Sequence, residues 1–355
     1  MLQPGHLSTL HKLNLALSSF DKPDRTLVIG GAGYIGSLLV RRLLYRGRAV
    51  RVLDRMDYGD DSLRSLFSNS RFELIDADLR DERALQRALE GVDSVVHLGA
   101  IVGDAACAFD ERETVEVNVE AVKLLTRLAK RAGVRRLAFA STCSVYGTSS
   151  ETANEDSPTK PVSLYARTKV DAEEFLRRSQ DDLLKPVILR IGTVFGWSPR
   201  PRFDLVANLL TAKAFFGHEV AVFNGERWRP FVHVDDVARG FEMVLDAPLS
   251  KVGGQLLNLG SLQANHRLSD VAEAIRAVRP QAKIIDRAND DARDYRVDFS
   301  RIGRLLGFQP TVSLREGVAE VDRALSEGHV NDYTTARYNN HRRAAKRATH
   351  ALAAV

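Results

Sequence analysis

Short apolar runs alternate with longer amphipathic stretches through the first half of the chain. In the longer stretches, apolar residues recur every three or four positions, as they do on the buried face of a helix. Within residues 111–131, for example, these positions are Val115, Val119, Val122 and Leu125. Strands that alternate with helices are typical of a parallel sheet covered on both faces. The pattern therefore predicts a doubly wound α/β fold, with strands at Thr26–Gly30, Ala49–Leu53, Phe72–Ile75, Ser94–Leu98, Arg136–Ala140 and Pro186–Ile191.

The alternation becomes irregular at about Gly192, where the apolar runs shorten and prolines become more frequent. We therefore expect residues 25–191 to form the main, cofactor-binding domain, with some later segments returning to it. Residues 192–328 are expected to form most of a smaller, substrate-binding region. Since ligands of open α/β sheets bind beyond the carboxyl ends of the strands, the active site is expected between the two. Residues 1–24 remain as an N-terminal extension and residues 329–355 as a basic C-terminal tail.

Charge, cysteine content and hydropathy exclude several classes of protein. Of the formal charge of +5, most lies in the tail, so the folded body is close to neutral and no nucleic-acid partner is expected. The two cysteines, Cys107 and Cys143, cannot form a disulfide framework and show no metal-ligand spacing, so no metal site is expected. No apolar run approaches the roughly 20 residues of a membrane span, and residues 1–24 lack the pattern of a secretory signal. The chain is therefore expected to be cytoplasmic, without membrane contact.

The first predicted strand runs into the stretch VIGGAGYIG, residues 28–36, and an amphipathic segment follows. This is the context that a dinucleotide-binding turn requires. Glycines let the backbone approach a pyrophosphate, and the N-terminus of the following helix offers unpaired N–H groups. Gly33 and Gly36 belong to two overlapping spacings, G-x-G-x-x-G from Gly31 and G-x-x-G-x-x-G from Gly30. Either spacing predicts a nucleotide cofactor in a Rossmann-type fold.

Asp54 ends the second predicted strand, 21 residues after Gly33. A carboxylate at this position accepts hydrogen bonds from the ribose hydroxyls of adenosine and repels a 2′-phosphate, so it favours NAD over NADP. Arg55 beside it works against this preference, because an arginine can pair with a 2′-phosphate. NAD is therefore the expected cofactor and NADP the alternative.

Tyr165 and Lys169 are spaced Y-x-x-x-K in a helix predicted at 165–178. Side chains four positions apart share one face of a helix, so a phenol and an ammonium can meet in one site. The nearby cation favours the phenolate and is expected to lower the pKa of Tyr165, which would make it a proton acceptor near neutral pH. Just upstream, the fifth predicted strand runs into Ser141 and Thr142, whose hydroxyls can donate to a sugar oxygen or a carbonyl.

Further motifs accompany these residues. The whole set is Gly30-x-x-Gly33-x-x-Gly36, Asp54, Asp78-Leu79, Asn118, Ser141-Thr142 with Val145-Tyr146-Gly147, Tyr165-x-x-x-Lys169 and Arg229-Pro-Phe-Val-His233-Val-Asp235-Asp236. Jointly, these motifs resemble the extended short-chain dehydrogenase/reductase family, and within it the nucleotide-sugar epimerases and dehydratases. The resemblance covers about residues 25–328.

The resemblance implies a role for each matching position. Tyr165 would be the catalytic base, Lys169 would hold the nicotinamide ribose and tune the tyrosine, and Thr142 would be the catalytic hydroxyl. Arg229 would bind the diphosphate of a nucleotide sugar, since the N–H groups of a planar guanidinium match the spacing of phosphate oxygens. The cofactor would be bound by Gly30, Gly33, Tyr34, Ile35, Gly36, Asp54, Arg55, Asp78, Leu79, Leu98, Gly99, Ala100 and Asn118, together with Tyr165 and Lys169.

Several positions depart from the family pattern. Family dehydratases follow the catalytic threonine with Asp-Glu, whereas Cys143 and Ser144 stand here, so 4,6-dehydration is not expected. Cys143 has two interpretations, a small cleft-lining residue or the acid/base that 3,5-epimerases carry near this position. Thr193 replaces a diphosphate-binding asparagine, and the second phosphate-binding arginine could be Arg293 or Arg287. The expected substrate site comprises Thr142, Cys143, Ser144, Thr193, Arg229 and Arg293.

The sequence therefore predicts an NAD-dependent nucleotide-sugar 4-epimerase, with transient oxidation at carbon 4. A 4-ketoreductase would use the same residues, and a 3,5-epimerase using Cys143 is a further alternative. A non-enzymatic NAD-binding interaction protein is disfavoured, because a pure binding role needs no activated phenol. The resemblance also implies a homodimer, built on a four-helix contact between the helices at 111–131 and 165–178.

Overall fold

The computed structural model describes residues 25–260, 262–291 and 293–345, and within them a seven-stranded parallel sheet forms the centre of the molecule. The strands of the described chain are β1 (Arg25–Ile29), β2 (Ala49–Asp54), β3 (Phe72–Asp76), β4 (Ser94–His97), β5 (Arg136–Thr142), β6 (Thr148–Ala153), β7 (Lys185–Ile191), β8 (Thr193–Phe195), β9 (Val220–Phe223), β10 (Trp228–His233), β11 (Leu256–Leu259), β12 (Asn265–Arg267), β13 (Ile284–Arg287) and β14 (Asp294–Val297). The central sheet has the order β11-β7-β5-β4-β1-β2-β3, with parallel pairing throughout. The predicted doubly wound fold is thus confirmed.

Helices cover both faces of this sheet, and further helices belong to the later part of the chain. They are α1 (Gly36–Tyr45), α2 (Glu82–Leu89), α3 (Asp104–Cys107), α4 (Glu111–Val115), α5 (Ala121–Arg131), α6 (Leu164–Ser179), α7 (Val206–Phe215), α8 (Val234–Asp246), α9 (Leu249–Val252), α10 (Leu268–Val278), α11 (Ser300–Leu306) and α12 (Leu314–Ser326). Successive residues of a strand point to opposite faces. In β1, Val28 packs into the apolar cluster of α1 and α8, whereas Leu27 and Ile29 pack into that of α2, α5 and α6. Burial on both faces explains why the strands read as continuous apolar runs.

The helix predicted at 111–131 is interrupted by a turn of π-helix at Glu116–Glu120. Such a turn inserts an extra residue and changes the phase of the helix before it. Val119, Val122 and Leu125 are buried as predicted, but Val115 is 38% exposed. The prediction that Val115 faces the core is therefore wrong, because uniform helical spacing does not continue through the π turn.

The later part of the chain contributes to the central sheet and to a separate layer. β11 extends the sheet beside β7, while β12, β10 and β8 form a three-stranded sheet of their own. A separate apolar cluster joins this layer to α7, α10 and α12. The boundary predicted at residue 192 stays a prediction. None of the helices described is long and apolar enough to cross a membrane.

Residues 329–345, the first part of the predicted basic tail, pack onto the body. Val330 and Tyr333 are buried against Phe203 and Leu325. A 3₁₀ turn at Ala336–Tyr338 and helical residues 340–345 follow. The predicted N-terminal extension, residues 1–24, and the last part of the predicted tail, residues 346–355, lie outside the described residues.

Candidate active site

A cavity of about 790 Å³ lies at the carboxyl ends of the central strands. The strand order reverses between β1 and β4, the point at which α/β sheets bind their ligands. Residues that follow β1, β2, β4, β5 and β7 form its walls, together with residues of the later layer. The cavity therefore gathers most of the residues that the motifs singled out.

The turn after β1 forms one part of this cavity. Gly30 has a φ of +81°, its carbonyl accepts a hydrogen bond from the Gly33 N–H at 3.2 Å, and a Cβ on Gly36 would collide with that carbonyl. These three glycines line the cavity, together with Tyr34 and Ile35. Gly31 instead packs against Val52, where a Cβ would lie 2.6 Å from the valine side chain. The wider glycine spacing is therefore the one that faces the cavity.

Asp54 lies at the cavity edge, at the end of β2. Its Oδ2 accepts from the Ala32 N–H at 2.9 Å, and its Oδ1 accepts from the Met56 N–H at 3.0 Å. Burial raises the pKa of Asp54, and the two backbone hydrogen bonds act in the opposite direction. The carboxylate is thereby held rigidly beside the glycine turn.

Arg55 is held by three carboxylates. Its guanidinium lies 2.7 Å from Asp57, 3.1 Å from Asp78 and 3.0 Å from Glu113. The arginine that could have paired with a 2′-phosphate is therefore already neutralised by the protein. An additional phosphate would have to displace these carboxylates and would also approach Asp54, so the geometry favours NAD over NADP.

Asn118 does not line the cavity, although Leu79, Leu98, Gly99 and Ala100 do. Its buried amide accepts from the Ile101 N–H at 2.9 Å and donates to the Ile101 carbonyl at 3.0 Å. The predicted cofactor contact is therefore corrected. The same amide also donates to the Thr168 Oγ1 at 3.3 Å, so Asn118 connects the segment after β4 to α6 and supports it from the side away from the cavity.

Thr142, Tyr165 and Lys169 line one cavity wall. The Lys169 Nζ donates to the Ala140 carbonyl at 2.8 Å and lies 5.9 Å from the centroid of the Tyr165 ring. The Thr142 Oγ1 accepts from the Ser144 N–H at 3.1 Å, which fixes the threonine at the end of β5. The two predicted ends of the site, glycine turn and phenol, thus share one cavity.

Burial dominates the acid–base character of this wall. It raises the pKa of Tyr165, and the smaller effects of the Arg202 charge and a hydrogen bond with Thr142 lower it. Burial also lowers the pKa of Lys169 to about 8. The predicted lowering of the Tyr165 pKa is therefore wrong for the chain without cofactor, because burial of the phenol has a larger effect than the positive charges near it.

Two arginines mark the expected substrate end. Arg229 and Arg293 line the cavity and both contact Asp291, at 3.2 and 2.7 Å. Arg287 does not line it and pairs with Glu219 at the surface. Arg293 is therefore the better placed second arginine. The expected substrate residues that line the cavity are Thr142, Ser144, Thr193, Arg229 and Arg293.

Cys143 lies outside the cavity. It begins the 3₁₀ turn Cys143–Tyr146 and is completely buried in an apolar cluster with Tyr295 and Val297. Its Sγ donates to the Arg190 carbonyl at 3.3 Å, and burial raises its pKa. Both interpretations of Cys143, as a cleft-lining residue and as an acid/base, are therefore wrong, because the turn points its side chain into the core.

Some cavity residues were missed by the sequence analysis. The pair Arg200 and Arg202, separated by a proline, offered a usable signal, since two arginines close to a predicted ligand site indicate an anion. No sequence signal pointed to Asn340 and His341, because their position in the cavity depends on the path of the C-terminal segment. The missed residues include Tyr58, Arg200, Arg202, Tyr295, Asn340 and His341.

The cavity suits a dinucleotide. The glycine turn has no room for side chains, so the backbone N–H groups at the start of α1 are accessible to a pyrophosphate. Asp54 stands where the adenosine ribose of such a cofactor is bound. These residues would hold NAD.

Comparison with known proteins gives the family. The model of the NAD dependent epimerase/dehydratase family matches residues 26–260. A UDP-glucose 4-epimerase of Mycolicibacterium smegmatis is 33% identical over 306 residues, 83% of this chain and 96% of that protein. UDP-glucuronic acid decarboxylase 1 of Arabidopsis thaliana is 31% identical over 309 residues, 83% of this chain and 68% of that protein.

A solved structure gives the same result. The UDP-glucuronic acid 4-epimerase from Bacillus cereus, crystallised with UDP-glucuronic acid and NAD, is 26% identical with a TM-score of 0.77, and the match covers 85% of this chain and 99% of that one. The names of these three proteins state different reactions, and the solved structure shares the fold of this chain. The chain therefore belongs to the NAD dependent epimerase/dehydratase family, whose members are NAD-dependent enzymes of the extended short-chain dehydrogenase/reductase type.

Proposed function

We propose that this chain is an NAD-dependent epimerase that inverts carbon 4 of a nucleotide sugar. The observation that carries the proposal is that one cavity contains the glycine turn, the Thr142, Tyr165 and Lys169 wall, and the arginines 229 and 293. Two guanidinium groups suit a diphosphate. The sugar of a nucleotide diphosphate held by them would lie near Tyr165. The similarity to a UDP-glucose 4-epimerase supports the same reaction.

In this proposal, the residues of the chain handle the proton. When bound, NAD supplies a reversible hydride acceptor. Tyr165 takes the proton of the 4-hydroxyl and later returns it to the same oxygen, while Thr142 donates a hydrogen bond to that oxygen. Burial favours the protonated phenol, so formation of the phenolate depends on nearby positive charge. Arg202 lowers the pKa of Tyr165, and the Lys169 Nζ lies 5.9 Å from the centroid of the tyrosine ring.

Competing reactions have different support. The buried position of Cys143 removes the basis for a 3,5-epimerase. A 4-ketoreductase would use the same wall, and one similar protein is a decarboxylase. A pure interaction protein has no need to bury a lysine beside a tyrosine that lines a cavity, since burying an ionisable group lowers stability. Reaction products and cofactor turnover separate the remaining possibilities.

We expect the purified protein to interconvert the 4-epimers of one class of nucleotide sugar without net consumption of cofactor. UDP-, GDP-, CDP- and dTDP-sugars, uronic acids included, would be incubated with the full chain while products and NADH absorbance are followed. Tyr165→Phe should reduce turnover by about 10²- to 10⁴-fold, because it removes the proton-transfer group. Tyr45→Phe is the matched control, since Tyr45 is 93% exposed.

Each other outcome assigns a different reaction. Stoichiometric consumption of NADH or NADPH would replace the epimerase with a reductase. Release of carbon dioxide from a uronic acid substrate would replace it with a decarboxylase. Unchanged turnover in Tyr165→Phe would remove Tyr165 as the base.

We also propose that the chain forms a homodimer through α4, α5 and α6, as the family resemblance implies. Support comes from the exposed apolar side chains Phe109, Val115 and Val162. They lie just before α4, at its end, and just before α6.

A further inference from the structure

Arg200 is a buried cation in the wall of the cavity. It is 6% exposed, and it forms no ion pair with any carboxylate of the described residues. The neighbouring carboxylate, Asp204, is bonded by two nitrogens of Arg202, at 3.0 and 2.8 Å. Within the described parts of the chain, the buried Nε of Arg200 has no hydrogen-bond partner. A guanidinium taken out of water is costly without a counter-charge, so this position calls for an anionic ligand.

The Arg200 side chain is held in place from two sides. Its guanidinium stacks on the ring of Tyr58, 3.5 Å from the centroid, and its Nη2 donates to the Asn340 Oδ1 at 2.9 Å. The Tyr58 hydroxyl donates to the same Oδ1 at 2.9 Å. Asn340 is itself fixed, because its Nδ2 donates to the Val102 carbonyl at 3.2 Å and its backbone N–H donates to Asp204 at 3.2 Å.

The loop that carries Arg200 is attached to the glycine turn. The Tyr34 hydroxyl donates to the Gly196 carbonyl at 2.7 Å, and the Ser198 hydroxyl donates to the Tyr34 carbonyl at 2.6 Å. Tyr58 lies in the segment after β2, which begins just beyond Asp54. Arg200 therefore stands between the two segments that would bound a dinucleotide.

We propose that Arg200 binds the diphosphate of NAD together with the glycine turn, and that Tyr58 and Asn340 position it. A planar guanidinium with a free N–H is suited to bridging phosphate oxygens. The diphosphate of a nucleotide sugar has its own candidates in Arg229 and Arg293, which are held by Asp291. The inference rests on the cofactor cavity and does not depend on the reaction at the sugar.

The C-terminal segment becomes part of the cofactor site in consequence. Asn340 connects the segments after β2 and β4 through Tyr58 and Val102. Arg337 pairs with Asp61 nearby. We expect a cofactor below this segment to leave faster when these contacts open. Slow release of NAD suits an enzyme that keeps one cofactor through many turnovers.

The test compares ligands that differ in the diphosphate. Release of fluorescent NADH, chased with excess ADP-ribose, and equilibrium binding of ADP-ribose, adenosine and UDP would be measured on the full chain. Arg200→Gln should speed NADH release and weaken ADP-ribose binding roughly tenfold to hundredfold, the range of a charge-assisted hydrogen bond. Adenosine and UDP binding should stay unchanged. Arg304→Gln, at an exposed site on α11, is the matched control.

Three results would overturn the proposal. Weaker UDP binding with unchanged ADP-ribose binding would assign Arg200 to the substrate. An equal loss for ADP-ribose, adenosine and UDP would show that Arg200 maintains the cleft and does not bind the diphosphate. Unchanged binding of all three would leave Arg200 without a role in binding. None of these results depends on whether the enzyme is an epimerase.

Two variants of Asn340 test its positioning role. Asn340→Asp keeps an acceptor oxygen but adds a negative charge beside Arg200, whereas Asn340→Ala removes the side-chain contacts. We expect NADH release to be faster in Asn340→Asp than in Asn340→Ala, because the added anion neutralises Arg200 and repels the diphosphate. If the aspartate variant is the milder of the two, Asn340 acts through packing alone and the positioning role is wrong.

Discussion

Lys169 is a cation in a place from which water is largely excluded. Its side chain is buried, and its Nζ lies 4.8 Å from the centroid of the Phe139 ring and 2.8 Å from the Ala140 carbonyl. These contacts replace only part of the hydration of an ammonium. Burial therefore lowers the pKa of Lys169 from its ordinary value of 10.5 to about 8.

The stability of the nucleotide-free protein should consequently change with pH through Lys169. Between pH of about 8 and 10.5, the unfolded chain keeps the proton that the folded chain loses, so the free energy of unfolding rises with pH. Below a pH of about 8 the lysine is charged in both states, and burying the ammonium lowers the free energy of unfolding by its full amount, on the order of 3 kcal/mol. Lys169→Met should be more stable than wild type at neutral pH, with a difference that closes towards pH 10.5 in urea unfolding. A difference that does not vary with pH would contradict the burial argument.

At the residue scale, the predicted site residues that line the cavity include those whose position follows directly from a strand end. Thr142 extends β5, and Asp54 ends β2, so both positions follow from the strand pattern. Cys143 is one residue further along, where a 3₁₀ turn reverses the direction of the side chain. Arg200 and Asn340 depend on contacts between distant segments, which local spacing does not encode.

At the element scale, a buried ion pair attaches α6 to the sheet one turn beyond Lys169. Glu173 and Arg190 pair at 2.7 Å, and both side chains are almost completely buried. Ser141 donates to Glu173, and Arg190 donates to the Tyr146 hydroxyl at 3.0 Å. The pair therefore connects α6 with β5 and β7 and sets the position of the helix that carries Tyr165.

Glu173→Gln should destabilise the protein strongly, because it keeps the shape of the side chain but leaves Arg190 buried without its anion. We expect the free energy of unfolding to fall by about 3–5 kcal/mol. Glu174→Gln is the control: Glu174 is exposed and pairs with Arg178 at the surface, so its loss should cost less than about 1 kcal/mol. Chemical denaturation of both variants measures the difference. Equal effects would mean that the buried pair contributes no more than the surface pair.

The elements themselves were predictable to different extents. The six predicted strands lie within two residues of observed ones, because buried apolar runs are a local signal. The π turn was not predicted, since contacts with distant segments accompany it: Asn118 within the turn bonds the backbone of Ile101 and the side chain of Thr168. β11 was likewise missed, because its place beside β7 is set by long-range pairing.

At the scale of the whole molecule, the π turn bears on assembly as well as on the site. The same turn that directs Asn118 towards the segment after β4 leaves Val115 38% exposed. Phe109 and Val162 are also about half exposed, at 46% and 51%. Exposed apolar side chains of this kind commonly mark contact surfaces. The proposed dimer would cover them with the equivalent helices of a second copy.

Light scattering after size-exclusion chromatography should therefore give twice the mass of the 355-residue chain. Val115→Lys should shift the protein towards monomer, because a lysine in a packed apolar contact would be buried as an unpaired charge. At a position that stays exposed to solvent, the same lysine would have no effect on assembly. Tyr45→Lys, at a 93% exposed position on α1, should leave the dimer intact. A monomeric wild type would show that the exposure of Val115 is only a by-product of orienting Asn118. If the dimer forms and Val115→Lys dissociates it, the π turn has two roles: it directs Asn118 towards the loop after β4, and it exposes Val115 for the subunit contact. Assembly and the active site then depend on the same turn.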